Sequence, residues 1–203
     1  MRSLFVTTVA LVMAVALSGN AYALILEWAT DDGGNGHFYE LVSDSLNWDD
    51  ARDGAAARTY LGSTGYLVTI TSAEENAFLT ASFELNHQWI GAFQFDKLAE
   101  PDGHWRWVTD EPFVYTNWNQ VPPHFEPNES GVEDWAAFGT PEPAPDGTDL
   151  EGKWQDWKFF GDPLPNRPRG YFVEYEPIPE PSSFFLLGSG LLSLVGWRRR
   201  NIS

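Results

Sequence analysis

The chain has 203 residues, 29 acidic against 12 basic, with no cysteine and ten tryptophans. Its formal charge of −17 argues against a nucleic-acid partner, whose phosphates it would repel. The missing thiols rule out disulfides, redox work and thiolate metal sites, while the aromatic content argues against an unfolded acidic chain.

Arg2 is followed by an apolar run from Leu4 to Leu17 and by the small-residue pattern Ala21-Tyr22-Ala23. Residues 1–23 therefore read as a secretory signal peptide, outside the fold. His37 to Val42 alternates as a first strand. Ser45 or Asn47 can cap a helix running from Asp49 through Ala51 and Ala55 to Leu61. Tyr66 to Ile70 is β-branched and apolar, a strand. Thr71 or Ser72, followed by Glu74 and Glu75, resembles a capping box that opens a second helix to about Phe83.

The texture then changes. Trp89 to Phe93 reads as a buried strand and His104 to Val108 as another. Thr109 to Glu133 is long, irregular and dense in Pro, Asn and Trp. Trp135 to Phe138 is a strand, Pro141 to Gly152 a loop, Lys153 to Trp157 a strand, and Tyr171 to Tyr175 closes with clean alternation. Helices in one half and short strands in the other indicate α+β with antiparallel sheet. Loops of this length inside a compact domain are usually functional.

At the far end Pro179-Glu180-Pro181 precedes an apolar stretch, Phe184 to Trp197, and then Arg198-Arg199-Arg200. The stretch is a little shorter than the about 20 residues of a comfortable membrane helix, and the arginines would keep the C-terminus cytoplasmic. Residues 24–176 remain as one domain, with eight basic and 28 acidic residues, a formal charge of −20.

Within that domain oxygens cluster. Glu126 and Asn128 flank Pro127, Glu133 and Asp134 follow a glycine, and Gln155 and Asp156 lie between two tryptophans. Calcium favours such mixtures of carboxylate and amide oxygen, whereas zinc and copper would want the thiolates or paired histidines this chain lacks. A cis bond before Pro127 would turn both flanking side chains to one side. The plain alternative is a solvated acidic loop. The tryptophans 105, 107, 118, 135, 154 and 157 read mostly as core, and His104 and His124 as loop residues without an acid-base partner.

The order of these segments resembles the C-type lectin domain. Trp89-Ile90-Gly91-Ala92 is similar to that family's WIGL motif, and Tyr115-Thr116-Asn117-Trp118 to the segment before its sugar loop. Glu126-Pro127-Asn128 matches EPN, Glu133-Asp134 the acidic pair after it, and Trp154-Gln155-Asp156 the WND motif. Phe172 to Tyr175 resembles the last strand.

The resemblance implies a C-type lectin-like fold and one Ca²⁺ held by Glu126, Asn128, Glu133, Gln155 and Asp156. The same side chains would bind vicinal equatorial hydroxyls, as in mannose, glucose and N-acetylglucosamine. A second calcium, where the family has one, would draw on Asp134 and an acid near Asp96 or Glu100. Gln155 stands where the family has asparagine, one methylene longer, so ligand and spectator both stay open. Pro122-Pro123-His124-Phe125 is inserted just before EPN, where His124 or Phe125 could border the sugar. Trp135 and Val173 occupy positions where the family has cysteine, so packing would replace crosslinks whose loss typically costs about 2–5 kcal/mol.

The C-terminal segment, residues 177–203, resembles the PEP-CTERM sorting signal, which implies processing by an exosortase after transient membrane insertion. The destination implied is the surface or polysaccharide matrix of a Gram-negative bacterium. Paired carboxylates could also suggest glycoside hydrolysis, but that needs one protonated acid, whereas calcium keeps carboxylates ionised; no enzyme is expected. The expectation is a calcium-dependent lectin, and the alternative is a calcium-stabilised structural or protein-binding matrix module without sugar binding.

Overall fold

The computed structural model describes residues 24–96, 103–122, 124–128, 133–139, 147–148, 150–158 and 168–178. The signal peptide and the apolar helix expected at 184–197 lie outside them. No helix among the described residues is long and apolar enough to cross a membrane.

The chain opens with β1 (Ile25–Glu27), a strand not expected from sequence, and a single 3-10 turn, then β2 (Phe38–Val42) and α1 (Trp48–Ala56). A small hairpin follows, β3 (Thr59–Tyr60) and β4 (Ser63–Thr64), then β5 (Tyr66–Leu67) and α2 (Ala73–Ser82). The second half supplies β6 (Gln88–Gln94), β7 (Trp105–Trp107), β8 (Gln120–Val121), β9 (His124–Phe125), β10 (Trp135–Phe138), β11 (Trp154–Trp157) and β12 (Gly170–Tyr175). The main sheet runs β1-β2-β12-β6-β10-β11, with β5 on β12 and β7 on β6. Its pairings are antiparallel except β12 with β6. The architecture is the expected α+β.

Local chemistry explains the helix starts. The Asn47 side chain accepts from the Asp50 N–H at 2.8 Å, and Asp49 and Asp50 sit favourably in the first turn. Ser72 accepts from the Glu75 N–H at 3.1 Å, while the Glu75 carboxylate accepts from the Thr71 N–H at 2.8 Å. This is close to the reciprocal exchange of a capping box.

Two expectations are corrected. The first helix ends at Ala56 rather than Leu61, because Leu61 (φ 49°) and Gly62 (φ 91°) form the two-residue turn of the β3–β4 hairpin. Positive φ at both positions is what a tight hairpin requires. The strand expected over 66–70 is confined to Tyr66 and Leu67, with one further bond from the Val68 N–H to Phe172 O at 3.0 Å. Beyond them the Thr69 N–H donates to the Glu174 carboxylate at 2.9 Å instead of to a strand carbonyl.

Two apolar clusters fill the interior. One gathers Trp105, Trp107, Trp154, Phe138 and Phe172 with residues of α2; the other gathers Trp48, Trp89, Tyr171 and Val173 under α1, with Trp135 packed against it. Trp135 and Val173 thus share one apolar cluster. Trp154 is fully buried, meets Trp107 and Trp118 edge-on at 5.7 Å, and donates its indole N–H to Asn76 Oδ1 at 2.8 Å. That satisfied, immobile indole anchors the start of β11, which carries the site.

Candidate functional site

The segment before β8 is tied to β11 first. The Trp154 N–H donates to Asn117 O at 2.9 Å, the Asn119 N–H donates to Trp154 O at 2.8 Å, and Trp118 bridges Trp154 in parallel. The β8–β9 hairpin then returns the chain, and the Glu126 N–H donates to Asn119 O at 2.7 Å. The Gln120 side-chain amide donates to the Glu126 carbonyl. The Glu126–Pro127 bond is cis.

This path sets the Glu126–Asn128 turn against β11. The Asn128 N–H donates to both Asp156 carboxylate oxygens, at 3.1 and 3.3 Å, and the Asn128 amide donates to Glu126 Oε2 at 2.6 Å. Glu126 is 8% exposed and Asp156 4%. Burial, together with the hydrogen-bonded and like-charged Glu126 carboxylate, pushes the Asp156 carboxyl up to about 9, against a smaller opposing effect of the Asn128 N–H. Two carboxylates this enclosed cannot both stay ionised unless a cation joins them. Carboxylate and amide oxygens without sulfur or imidazole are the donors of a hard cation such as calcium, so the residues present fit that ion.

The remaining expected ligands stand differently. Glu133, just before β10, places Oε1 at 3.8 Å from Lys158 Nζ, beyond the end of β11. Gln155 alternates to the other side of β11 from Asp156, and a Cβ added at Gly139 would meet its amide nitrogen at 3.1 Å. Asp96 pairs with the exposed His104 at 3.0 Å, and Asp134 is buried; Glu100 lies outside the described residues. Glu126, Asn128 and Asp156 are thus brought together, with Glu133 and Gln155 at the margins. Among the described residues no group of three or more His, Asp or Glu side chains is arranged to hold a metal ion by itself.

Sequence reasoning missed Asn119 and Gln120, which hold Glu126 in place. The signal was available: two amides directly after Trp118, ahead of the proline insertion. It also missed a second buried cluster, where Tyr39 Oη donates to Glu75 Oε1 at 2.7 Å and His37 Nδ1 lies 2.6 Å from Glu174 Oε1.

A fold of this topology, with a cis proline between glutamate and asparagine facing an aspartate on a tryptophan-anchored strand, defines a class. The Lectin C-type domain family model matches residues 41–156, and the chain belongs to that family. The PEP-CTERM protein-sorting motif matches residues 177–200. Among curated proteins, halomucin of Haloquadratum walsbyi is 33% identical over 144 residues, 70% of this chain but 1% of halomucin. Lectin BRA-3 of Megabalanus rosa is 30% identical over 128 residues, 63% of this chain and 73% of that lectin. Among solved structures, the cow C-type carbohydrate-recognition domain of CD23, determined in the presence of GlcNAc2Man3 oligosaccharide, superposes with a TM-score of 0.51 at 26% identity. It covers 70% of this chain and 90% of that one. CEL-I of Cucumaria echinata, at 19% identity and TM-score 0.51, shares the fold. The family and fold are generally non-enzymatic, and the sorting motif implies export to a bacterial surface or extracellular space.

Proposed function

We propose that the domain binds saccharides bearing vicinal equatorial hydroxyls, mannose and glucose types, through a calcium ion held by Glu126, Asn128, Glu133, Gln155 and Asp156. The observation that carries this reading is the approach of Glu126, Asn128 and Asp156, with two carboxyl groups buried side by side. Calcium, when bound, supplies the positive charge and the open coordination positions for two hydroxyl oxygens. The protein's own part is to accept hydroxyl hydrogens at Glu126 and Asp156, to donate from the Asn128 amide, and to hold these groups rigid through Asn119 and Gln120. The oligosaccharide present with the CD23 domain supports the substrate class. The protein acts at the surface or in the polysaccharide matrix of a Gram-negative bacterium, reached through exosortase processing and transient inner-membrane anchoring.

Calorimetric titration with mannose and galactose, first in calcium and then in EDTA, tests the reading. Mannose binding in calcium, abolished by EDTA, is expected; no sugar binding in either condition sinks it. One observation favours a second reading, a calcium-stabilised structural or protein-binding module: the Gln155 side chain lies against Gly139, while Asp156, the next residue of β11, is the one that meets Asn128. Glu126→Gln combined with Asn128→Asp separates the two. A shift of preference toward galactose supports the lectin, while unchanged preference with persistent calcium binding supports the structural module.

A further inference from the structure

The β3–β4 hairpin turns on an unusual pair. Leu61 stands at φ 49° and Gly62 at φ 91°. Such a turn favours asparagine, aspartate or glycine at its first position, because a bulky side chain is strained at positive φ and leucine has no local hydrogen bond to offer in return. Nor does the side chain serve the core, since it is 69% exposed. The hairpin beneath it is firm. The Tyr60 ring meets those of Phe38 at 5.0 Å and Tyr175 at 5.8 Å, and the Gly65 N–H donates to Arg58 O at 2.9 Å. An aliphatic side chain is thus held out in water on a rigid support, against both conformational and hydration preference.

One exposed leucine carries no message alone, but this one has a neighbour. Ile178 is 51% exposed, and a Cβ added at Gly62 would meet its Cδ1 at 2.9 Å. Leu61, Gly62 and Ile178 therefore form one aliphatic tip. Ile178 is also where the chain leaves the described domain, inside the sorting motif matched over residues 177–200. Phe184, the first residue of the apolar run, is six residues on, at most about 20 Å of extended chain. A bilayer that takes up residues 184–197 lies within that reach of the tip.

Resting on the reading that residues 184–197 insert into a membrane, we propose that Leu61 and Ile178 form a lipid-facing tip, which dips into the bilayer surface while the chain is anchored. The chemistry fits lipid better than a protein partner. Leu61, Gly62 and Ile178 offer no ring and no guanidinium, the groups on which protein interfaces concentrate their binding energy, and leucine is under-represented there. Aliphatic side chains gain from leaving water wherever hydrocarbon is offered. Charge sets the lipid class: residues 24–176 carry a formal −20, so anionic headgroups repel the domain and zwitterionic ones suit it. Contact at the tip holds the domain against the bilayer beside the motif to be processed, instead of leaving it to swing on its tether.

The test uses residues 24–203 reconstituted through their C-terminal run into vesicles of phosphatidylcholine and phosphatidylethanolamine. The chain has no cysteine, so Leu61→Cys takes a single environment-sensitive fluorophore. Val114→Cys is the control, because Val114 is aliphatic and 81% exposed but lies in the segment before β8. The label at 61 should shift to the blue and be quenched by nitroxide-bearing lipids, while the label at 114 keeps its aqueous spectrum. Added phosphatidylglycerol should reduce the shift. Two equally aqueous labels on vesicle-bound chain refute the tip while the anchoring reading stands. A blue shift at 61 that appears only when exosortase is added assigns the tip to a protein and overturns the proposal. If the chain does not float with the vesicles, the anchoring reading falls and the tip with it. Leu61→Asn, which suits the turn, should leave the thermal midpoint unchanged or raised; a lowered midpoint would show that the leucine serves the fold and would overturn the assignment.

Discussion

At Asp156 the structure turns a sequence match into a statement about protons. An isolated surface aspartate binds calcium without proton exchange at neutral pH. Asp156 instead enters the calcium-free site protonated, because it is buried beside Glu126. Calcium binding at neutral pH is therefore expected to release a proton, and affinity should rise with pH across neutrality. Calorimetry in two buffers of different ionisation enthalpy measures this; identical apparent enthalpies would show that no proton leaves. Asp156→Ala should reduce calcium affinity by at least tenfold, about 1.4 kcal/mol, and more than Gln155→Ala. Equal losses at the two positions would place Gln155 among the principal ligands.

Across elements, the second carboxylate cluster joins α2, β2 and β12. Burial and the charge of Glu174 push the Glu75 carboxyl up to about 7. Burial lowers the His37 pKa, but its hydrogen bond to Glu174 and the surrounding carboxylates outweigh that and raise it. The folded state thus holds a proton at Glu75 that the unfolded chain releases near 4.5. This contribution is full below that value and is lost as pH rises toward 7. The raised His37 acts in the same direction. In EDTA, where the protonated Asp156 adds to the same trend, the urea midpoint should fall between about pH 5 and about pH 8, with the Glu75 cluster contributing roughly 1–3 kcal/mol in stability. Glu75→Gln should flatten the slope. A wild-type midpoint that does not move would contradict the account.

Elements also show where sequence reading succeeds. Ser72 with Glu75, and Asn47 before an acidic first turn, are signals satisfied within four residues, so both helix starts were legible. Tyr171 to Tyr175 was legible as a strand, but the alternation expected of it is absent, because β12 lies inside the sheet and is buried along its whole length. The end of α1 was not, because an alanine-rich run favours helix until Leu61 and Gly62 are required as a turn. That Glu126, Asn128 and Asp156 lie together could be expected from motif order. The side of β11 that Gln155 faces, and the bonds from Asn119 and Gln120, depend on register between distant strands. The Glu75–Glu174 cluster joins residues 99 positions apart, with no local pattern to announce it.

For the whole molecule, a formal charge of −20 over residues 24–176 is the dominant long-range term. Self-repulsion destabilises the compact state, and salt screens it over about 10 Å at 0.1 M. Sodium chloride should therefore raise the thermal midpoint of the calcium-free domain, as followed by tryptophan fluorescence. A midpoint that falls with added salt would mean that ion pairs such as Arg58 with Glu40, at 2.7 Å, outweigh the net charge.

The strand order carries one more consequence. β1 and β12 both run antiparallel to β2, so they run parallel to each other about 10 Å apart, and the chain enters β1 and leaves β12 at opposite ends of these strands. β11, which bears Asp156, is the outermost strand on the opposite side. The two ends of the described domain thus point away from each other, on the side of the sheet remote from Asp156. A pull on those two ends would load the β1–β2–β12 pairings in shear and bypass the strand that bears Asp156.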